Sequence, residues 1–371
     1  MAATAMPLLV ALVAGLGSAS PSPAPTVRGA VYAATTTAEL VGLLKRVRGG
    51  ERILLAPGVY PPFSLRAIAP SSTVTIASRD PARAAVLTGV HLRDGGNLAF
   101  RDLVFRSSGT SVQEGFLLHG MHNVSMHRIF ATGRTGPLGL SRDKILQLRE
   151  CIGITITGSE FTHAYIALSL LDTTDVSVTA SYFHDLRMDA IRGGGNSNVR
   201  IAYNYLTGFS PQGTDHPDAI QFWTARQSKA AHDIQIVGNV ILRGKGSAMQ
   251  GIFLRDETGG LAYRAVQIAD NLVVGSMYNG IAVLSDSDSV RLSKNVVSAY
   301  PDQKSWIRVG SRATLDGNVA PLYLVGGKRV DMLRNNYITG PGAPSSALRT
   351  WVRGRALDRY PESLRYHVDG L

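Results

Sequence analysis

Val199-Arg200-Ile201-Ala202-Tyr203-Asn204, Ile234-Gln235-Ile236-Val237-Gly238-Asn239 and Val266-Gln267-Ile268-Ala269-Asp270-Asn271 are three copies of one pattern. Two apolar residues flank one outward position, and Asn or Ser stands five residues after the first of them. The pattern recurs at Ile154/Ile156/Ser159, Val176/Val178/Ser181, Val290/Leu292/Asn295, Ala313/Leu315/Asn318 and Val330/Met332/Asn335, with weaker copies at Leu98/Phe100 and Val124/Met126. Successive Asn/Ser markers lie 22, 23, 35, 32, 24, 23 and 17 residues apart. A step of about 22 to 24 residues holds three short strands at ~3.3 Å per residue plus their turns, so like positions stack coil on coil. The pattern predicts an all-β solenoid of about ten coils with an Asn/Ser ladder. Asn suits such a column because it tolerates the left-handed backbone of a tight bend and its amide can hydrogen-bond up and down the stack.

A second column, Ile145, Ile166, Ile191, Ile220, Ile252 and Ile281, opens a short strand in each coil. Alternation then turns the next residue outward (Leu146, Ala167, Arg192, Gln221, Phe253, Ala282), and also the third (Leu148, Ser169, Gly194, Trp223, Arg255, Leu284). Outward polar and aromatic side chains gather in the middle coils. The long steps of 35 and 32 residues place long loops beside them.

The chain has 371 residues and a formal charge of +11, with 38 Lys and Arg against 27 Asp and Glu. That charge favours a polyanionic partner. No Lys/Arg block, helix-turn-helix, zinc finger or aromatic RNA-binding signature points to nucleic acid. The single cysteine, Cys151, excludes an intrachain disulfide and lies in an apolar run, where it reads as a small buried residue. Met6 to Leu16 has the length of a signal-peptide core and is too short to span a bilayer. Pro21-Ser22-Pro23-Ala24-Pro25 follows as a spacer, so residues 1–34 read as an export segment of a secreted or periplasmic monomer. Thr36-Thr37-Ala38-Glu39 has capping-box spacing ahead of Leu40, Leu43, Leu44 and Val47, which predicts a short N-terminal capping helix. Residues 35–344 are expected to form the solenoid and 345–371 a partly helical C-terminal cover.

From Ala38 to Asn335 the chain resembles right-handed parallel β-helices of the pectate-lyase-like superfamily. The opening Gly50-Glu51-Arg52-Ile53-Leu54-Leu55-Ala56-Pro57-Gly58-Val59-Tyr60, followed by Leu87-Thr88-Gly89, is similar to the alginate lyase and chondroitinase B family. More weakly, Asp215-His216-Pro217-Asp218 resembles a segment of alginate C5-epimerases. The resemblance implies proton abstraction at C5 of a uronate in an acidic polysaccharide. In the lyases a catalytic Arg stands in a Leu-Arg-His-Gly strand; Arg255 matches it, with Asp256 in place of the His. The family's calcium carboxylates and Lys base, laid on Ile220, fall on Ala219, Gln221 and Arg226, so that set is missing. Asp189, Asp218, Asp256 and Glu257 remain as candidate ligands for Ca2+.

From the residues themselves, a guanidinium at Arg255 or Arg192 can hold a uronate carboxylate bidentately. His216 is a candidate base, because an unperturbed imidazole titrates near pH ~6.5, and Asp218 is its neighbour. Gln221, Trp223, Arg226, Phe253 and Tyr278 are candidate substrate contacts, the aromatic ones by stacking on sugar rings. Asp189 and Asp218 hold one place on successive coils, continued by Gln250 and Asn279. His216 and Arg255 are expected to face one another across a single groove. A polysaccharide lyase leads; an epimerase, a two-carboxylate hydrolase and a non-catalytic glycan-binding solenoid are the alternatives.

Overall fold

A computed structural model describes residues 29–107, 114–136, 139–140, 143–331 and 344–369. Each coil passes through a strand of sheet A, a tight bend, a strand of sheet B, a longer loop and a strand of sheet C. Ser197–Ala202, Tyr205–Phe209 and Asp218–Trp223 form one such coil. His232–Val237, Val240–Leu242 and Gln250–Arg255 stack on it in parallel register. Among the described residues sheets A and C have 12 strands each and sheet B has 10, in agreement with about ten coils. The chain is therefore the expected all-β, right-handed parallel β-helix.

The repeat's apolar pairs fill the interior. Ile154, Val176, Val199, Ile234, Val266 and Val290 form one column in register, each no more than 2% exposed. Beside them runs the ladder: Asn204, Asn239, Asn271 and Asn295 each donate through Nδ2 to Oδ1 of the next Asn, at 3.0, 3.0, 2.9 and 2.8 Å, ending on Asn318. Each oxygen also accepts the preceding Asn's backbone N–H, as Asn239 does from Asn204 at 3.1 Å. The left-handed conformation, however, belongs to the residue before each Asn: Tyr203, Gly238, Asp270, Lys294 and Gly317 have φ of 59°, 68°, 58°, 55° and 61°. One residue makes the bend, and the following amide satisfies the buried groups that the bend exposes. The expected continuation at Met332 and Asn335 lies outside the described residues, as do Met6 to Leu16 and the Pro-rich spacer.

Ile191, Ile220, Ile252 and Ile281 form one column. Upstream it passes to Leu168 and Leu146, not to Ile166 and Ile145. Ile166 and Leu168 share strand parity, so a two-residue slip keeps the same face inward, and hydrophobic pattern cannot separate the two registers; Ile145 and Leu146 differ in parity, but both are apolar and both are buried, so the pattern does not choose between them either. The outward row holding Arg192 therefore continues to Ser169 and Gln147, not to Ala167 and Leu146.

The N-terminal helix is Thr37–Leu44. Thr36 Oγ1 accepts from the Glu39 amide at 3.2 Å, while Glu39 reaches back to the Thr35 amide at 2.7 Å. Leu40, Leu43 and Leu44 are buried toward the first strands. Val31–Ala34, assigned to the spacer from sequence, is a strand of sheet A paired with Arg52–Leu55. The C-terminal helices Pro344–Val352 and Glu362–Asp369 cover the flank of sheet B, where Leu348, Trp351, Tyr360 and Leu364 pack on Tyr205, Val240, Leu242, Leu272 and Val274.

Candidate functional site

Sheet C carries the site. Its strands Ile191–Gly194, Asp218–Trp223, Gln250–Arg255, Tyr278–Leu284 and Ser305–Val309 lie side by side, and the long loops 210–217 and 243–249 lead into the second and third. One outward row is Arg192, Gln221, Phe253, Ala282 and Arg308; the next is Gly194, Trp223, Arg255 and Leu284.

At the leading ends of these strands a hydrogen-bonded chain crosses the coils. Trp306 Nε1 donates to Asn279 Oδ1 at 3.0 Å, and Asn279 Nδ2 donates to Gln250 Oε1. Gln250 Nε2 donates to Asp218 Oδ1 at 2.7 Å and faces His216 Nδ1 at 3.4 Å. Asp218 Oδ2 accepts from Gln221 Nε2 at 2.6 Å, and the Asp218 amide donates to Asp189 Oδ1 at 3.1 Å. An indole N–H can only donate, so Trp306 fixes which end of each amide is the donor along the whole chain. The consequence reaches His216: Nδ1 meets a donor and must accept, which leaves the neutral ring's proton on Nε2.

Asp218 and Asp189 are buried, at 0% and 1% exposed. Burial raises Asp218 well above the usual carboxylate value, and the like charge of Asp189 adds to it, against the hydrogen bond from Gln250. Burial also pushes Asp189 up to about 6, against the opposing pull of Arg192, the Asp218 amide and His216. The two titrate as a pair that keeps a proton isolated carboxylates would have lost. Arg192 lies over this pair: Nη1 is 3.5 Å from Asp189 Oδ2, Nε is 3.4 Å from Ser169 Oγ, and the guanidinium stands 5.5 Å from the Trp223 ring centre. The loop ahead of Asp218 is anchored by Arg187, which pairs with Asp215.

The structure brings Asp189, Arg192, His216, Asp218 and Gln221 together, with Trp223 over the Arg192 guanidinium. It does not bring Arg255 to His216. Gln250 and Arg255 are the two ends of one strand, five residues or ~16 Å apart, and His216 is at the Gln250 end. The expectation of a single groove between them fails because His216 precedes Asp218 by two residues whereas Arg255 pairs in register with Trp223. Arg255 is exposed; Phe253 is half-buried in the Gln221 row. Arg226 is exposed beyond Trp223, at φ 61°. Tyr278 is 51% exposed, with its ring 5.2 Å from that of Trp306.

Of the candidate metal ligands, Asp189 and Asp218 adjoin, whereas Asp256 is used locally. It accepts from Thr224 Oγ1 at 2.8 Å and from the amides of Thr258, Gly259 and Leu261 at 3.1 Å. Burial would raise its pKa, but these bonds hold it low. Glu257 is exposed beside it. Among the described residues no group of three or more His, Cys, Asp or Glu is arranged to hold a metal ion. Trp306 was not legible in the sequence pattern. The register shifts between Asn279 and Ile281, so Trp306 stands one residue before Ile307 where its counterparts stand two before their isoleucines. Among the described residues no helix is long and apolar enough to cross a membrane.

Residues 88–297, more than half of the chain, match the family described as right handed beta helix region. No curated protein matches the sequence. Among solved structures the chain is similar to PfbA, a surface adhesin of Streptococcus pneumoniae, with a TM-score of 0.58 and 10% identity over 85% of each chain. It is also similar to a pectate lyase, with a TM-score of 0.48 and 14% identity over 90% of this chain and 88% of that one. A periplasmic alginate epimerase mutant gives a TM-score of 0.49 and 14% identity over 78% of this chain and 68% of that one. At these identities the likeness is one of fold.

Proposed function

This chain belongs to the right-handed β-helix family, and from that premise we propose that it is an exported enzyme acting on a uronate-containing polysaccharide, as a lyase. The observation that carries this reading is the cluster at the coil boundary: a carboxylate pushed up to about 6 at Asp189, an arginine over it, and a histidine whose N–H donor is set at Nε2. Removing a proton beside a carboxylate needs a base ionised near neutrality and donors placed where the charge develops.

In this mechanism the uronate carboxylate draws Arg192 away from Asp189, and Trp223 receives the sugar face. Asp189 Oδ2, uncovered, takes the C5 proton. The C5 electron pair forms the C4–C5 double bond, the C4–O4 bond breaks, and the leaving O4 takes a proton from water. Arg192 and His216 Nε2–H donate to the carboxylate as charge flows onto it. His216 thus acts as a donor, not as the base expected from sequence; that part passes to Asp189. Asp218, with its two oxygens on the Gln221 and Gln250 amides, positions the others. Arg255, Arg226, Phe253 and Tyr278 contact more distant sugars. The two buried carboxyls adjoin instead of flanking a bond, which disfavours two-carboxylate hydrolysis.

The test is incubation with a panel of acidic glycans, following the ultraviolet absorbance of an unsaturated uronate. Activity should rise with pH through about 6, and Asp189→Asn should abolish it. Reducing ends without new absorbance would indicate a hydrolase, and solvent exchange at C5 without cleavage an epimerase. Binding without any product would leave a glycan-binding solenoid.

A further inference from the structure

The outward rows of sheet C continue far beyond the site. From Arg255 and Trp223 the row runs back in register through Gly194, Leu171, Arg149 and His119 to Arg93. The adjacent row contributes Arg192 and Arg308. Sheet C lies in the order 90–93, 114–119, 144–149, 166–171, 191–194, 218–223, 250–255, 278–284 and 305–309. Arg93, Arg149, Arg192, Arg255 and Arg308 therefore stand on every second strand. The strands between them carry His119, Leu171, Trp223 and Leu284 in one row and Leu117, Ser169, Gln221 and Ala282 in the other, with no Lys or Arg. The alternation ends at Arg66, which Asp94 holds at 2.8 Å.

Adjacent strands are ~4.8 Å apart, so successive arginines are ~10 Å apart along the axis and the five span ~38 Å. Arg93, Arg149, Arg255 and Arg308 form no ion pair among the described residues, and Arg192 touches Asp189 only at 3.5 Å. Arginines placed for solubility need no period; these repeat with the scaffold. Such spacing fits a linear polymer with one acid group per unit and successive units turned to opposite sides. Trp223 and Phe253, lying between cations, offer faces to sugar rings.

We propose that this face is a rail for a linear polyuronate lying along the solenoid axis, every second carboxylate being taken in turn by Arg93, Arg149, Arg192, Arg255 and Arg308. The proposal rests on the uronate reading above and extends it from one sugar to the whole chain.

The experiment measures binding of end-labelled oligouronates of graded length to the full chain, by fluorescence anisotropy at fixed ionic strength, with turnover followed in parallel. Affinity should rise with length until the oligomer reaches ~38 Å and then level off. The Arg93→Glu/Arg149→Glu variant should bind long oligomers at least tenfold more weakly, bind short ones unchanged, and show a shallower salt dependence. Both residues are exposed, and Arg93→Gln/Arg149→Gln should show the same length-selective loss in milder form. No loss, a loss equal at all lengths, or equally tight binding of an oligonucleotide of matched charge would overturn the rail. Length-dependent binding without product would remove the reaction and leave the rail; product formation with indifferent Arg93 and Arg149 variants would do the reverse.

Discussion

Replacing Asn239 by Ala removes the middle rung of the ladder. Asn239 accepts from the Asn204 amide at 3.1 Å and from Asn204 Nδ2 at 3.0 Å, and it donates to the Ile201 carbonyl at 2.9 Å and to Asn271 Oδ1 at 3.0 Å. Asn204 Nδ2 keeps its bond to the Val178 carbonyl, and Asn271 Oδ1 keeps the Asn239 amide. The Asn204 N–H and the Ile201 carbonyl lose these partners in a column from which solvent is excluded. A buried group left without its partner costs about 1–3 kcal/mol; the Asn204 N–H is such a group, whereas Ile201 lies within a strand paired with Ile236, so the substitution costs about 1–3 kcal/mol. That is a large share of a total stability of about 5–15 kcal/mol. The chain supplies its own control. Ser181 occupies a rung and accepts the Ser159 amide at 3.2 Å while donating to the Thr179 carbonyl at 2.9 Å. Asn239→Ser should therefore lose less than Asn239→Ala, because a hydroxyl can still receive the Asn204 N–H. Denaturant unfolding followed by circular dichroism measures both. An alanine cost below about 1 kcal/mol, or a serine cost equal to it, would refute the ladder as the source of this stability.

Trp306→Phe retains a ring beside Tyr278 but removes the donor that orients Asn279 and Gln250; His216 should lose its Nε2–H preference in nitrogen NMR spectra and kcat should fall more than KM rises. Asp189→Asn should be more stable than the parent above pH 6 and about equal below pH 4. A carboxyl raised from 3.8 to about 6 favours folding below 3.8, and loses about 3 kcal/mol as pH rises to 6, which the amide avoids; equal pH profiles in thermal melts would contradict this. Burial would lower the pKa of His184, but its bonds to Glu160 at 3.0 Å and Asp185 at 2.7 Å reverse that and raise it. The stabilisation is present at low pH and lost as pH rises through the raised value, so Glu160→Gln should destabilise on the acidic side and converge with the parent on the alkaline side.

The solenoid was legible because its repeat carries two signals with independent causes. The apolar pair Ile234/Ile236 reports the inward face, and Asn239, five residues after Ile234, reports the bend, so both must recur together. Register was less legible. Ile166 and Leu168 are equally apolar and share parity, and only the hydrogen bonds between coils decide that Leu168 lies beside Ile191. The role of the Asn was assigned to the wrong neighbour for a similar reason. Tyr203 and Lys294 look unsuited to a left-handed bend, yet the following buried amide makes that bend hold.

The site divides along the same line between pattern and register. Asp189 and Asp218 were visible as a repeated place before Ile191 and Ile220, because a strand entry recurs with the coil. Their burial was not, since a carboxylate at a strand entry reads as a turn residue until the loop 210–217 is laid over it. The separation of His216 from Arg255 follows from counting along the strand once its register is known: residues a coil apart approach when their offsets from the shared isoleucine differ by no more than a long side chain can span. His216 precedes the strand and meets Gln250, two before Ile252, whereas Arg255 is three after it, a separation of five positions or ~16 Å of strand. Arg192 and Trp223 are one and three after their isoleucines, and the guanidinium lies over the indole. The same counting identifies the arginine rail, because Arg93 and Arg308 are far from the site in sequence and belong with it only through their positions in the outward rows.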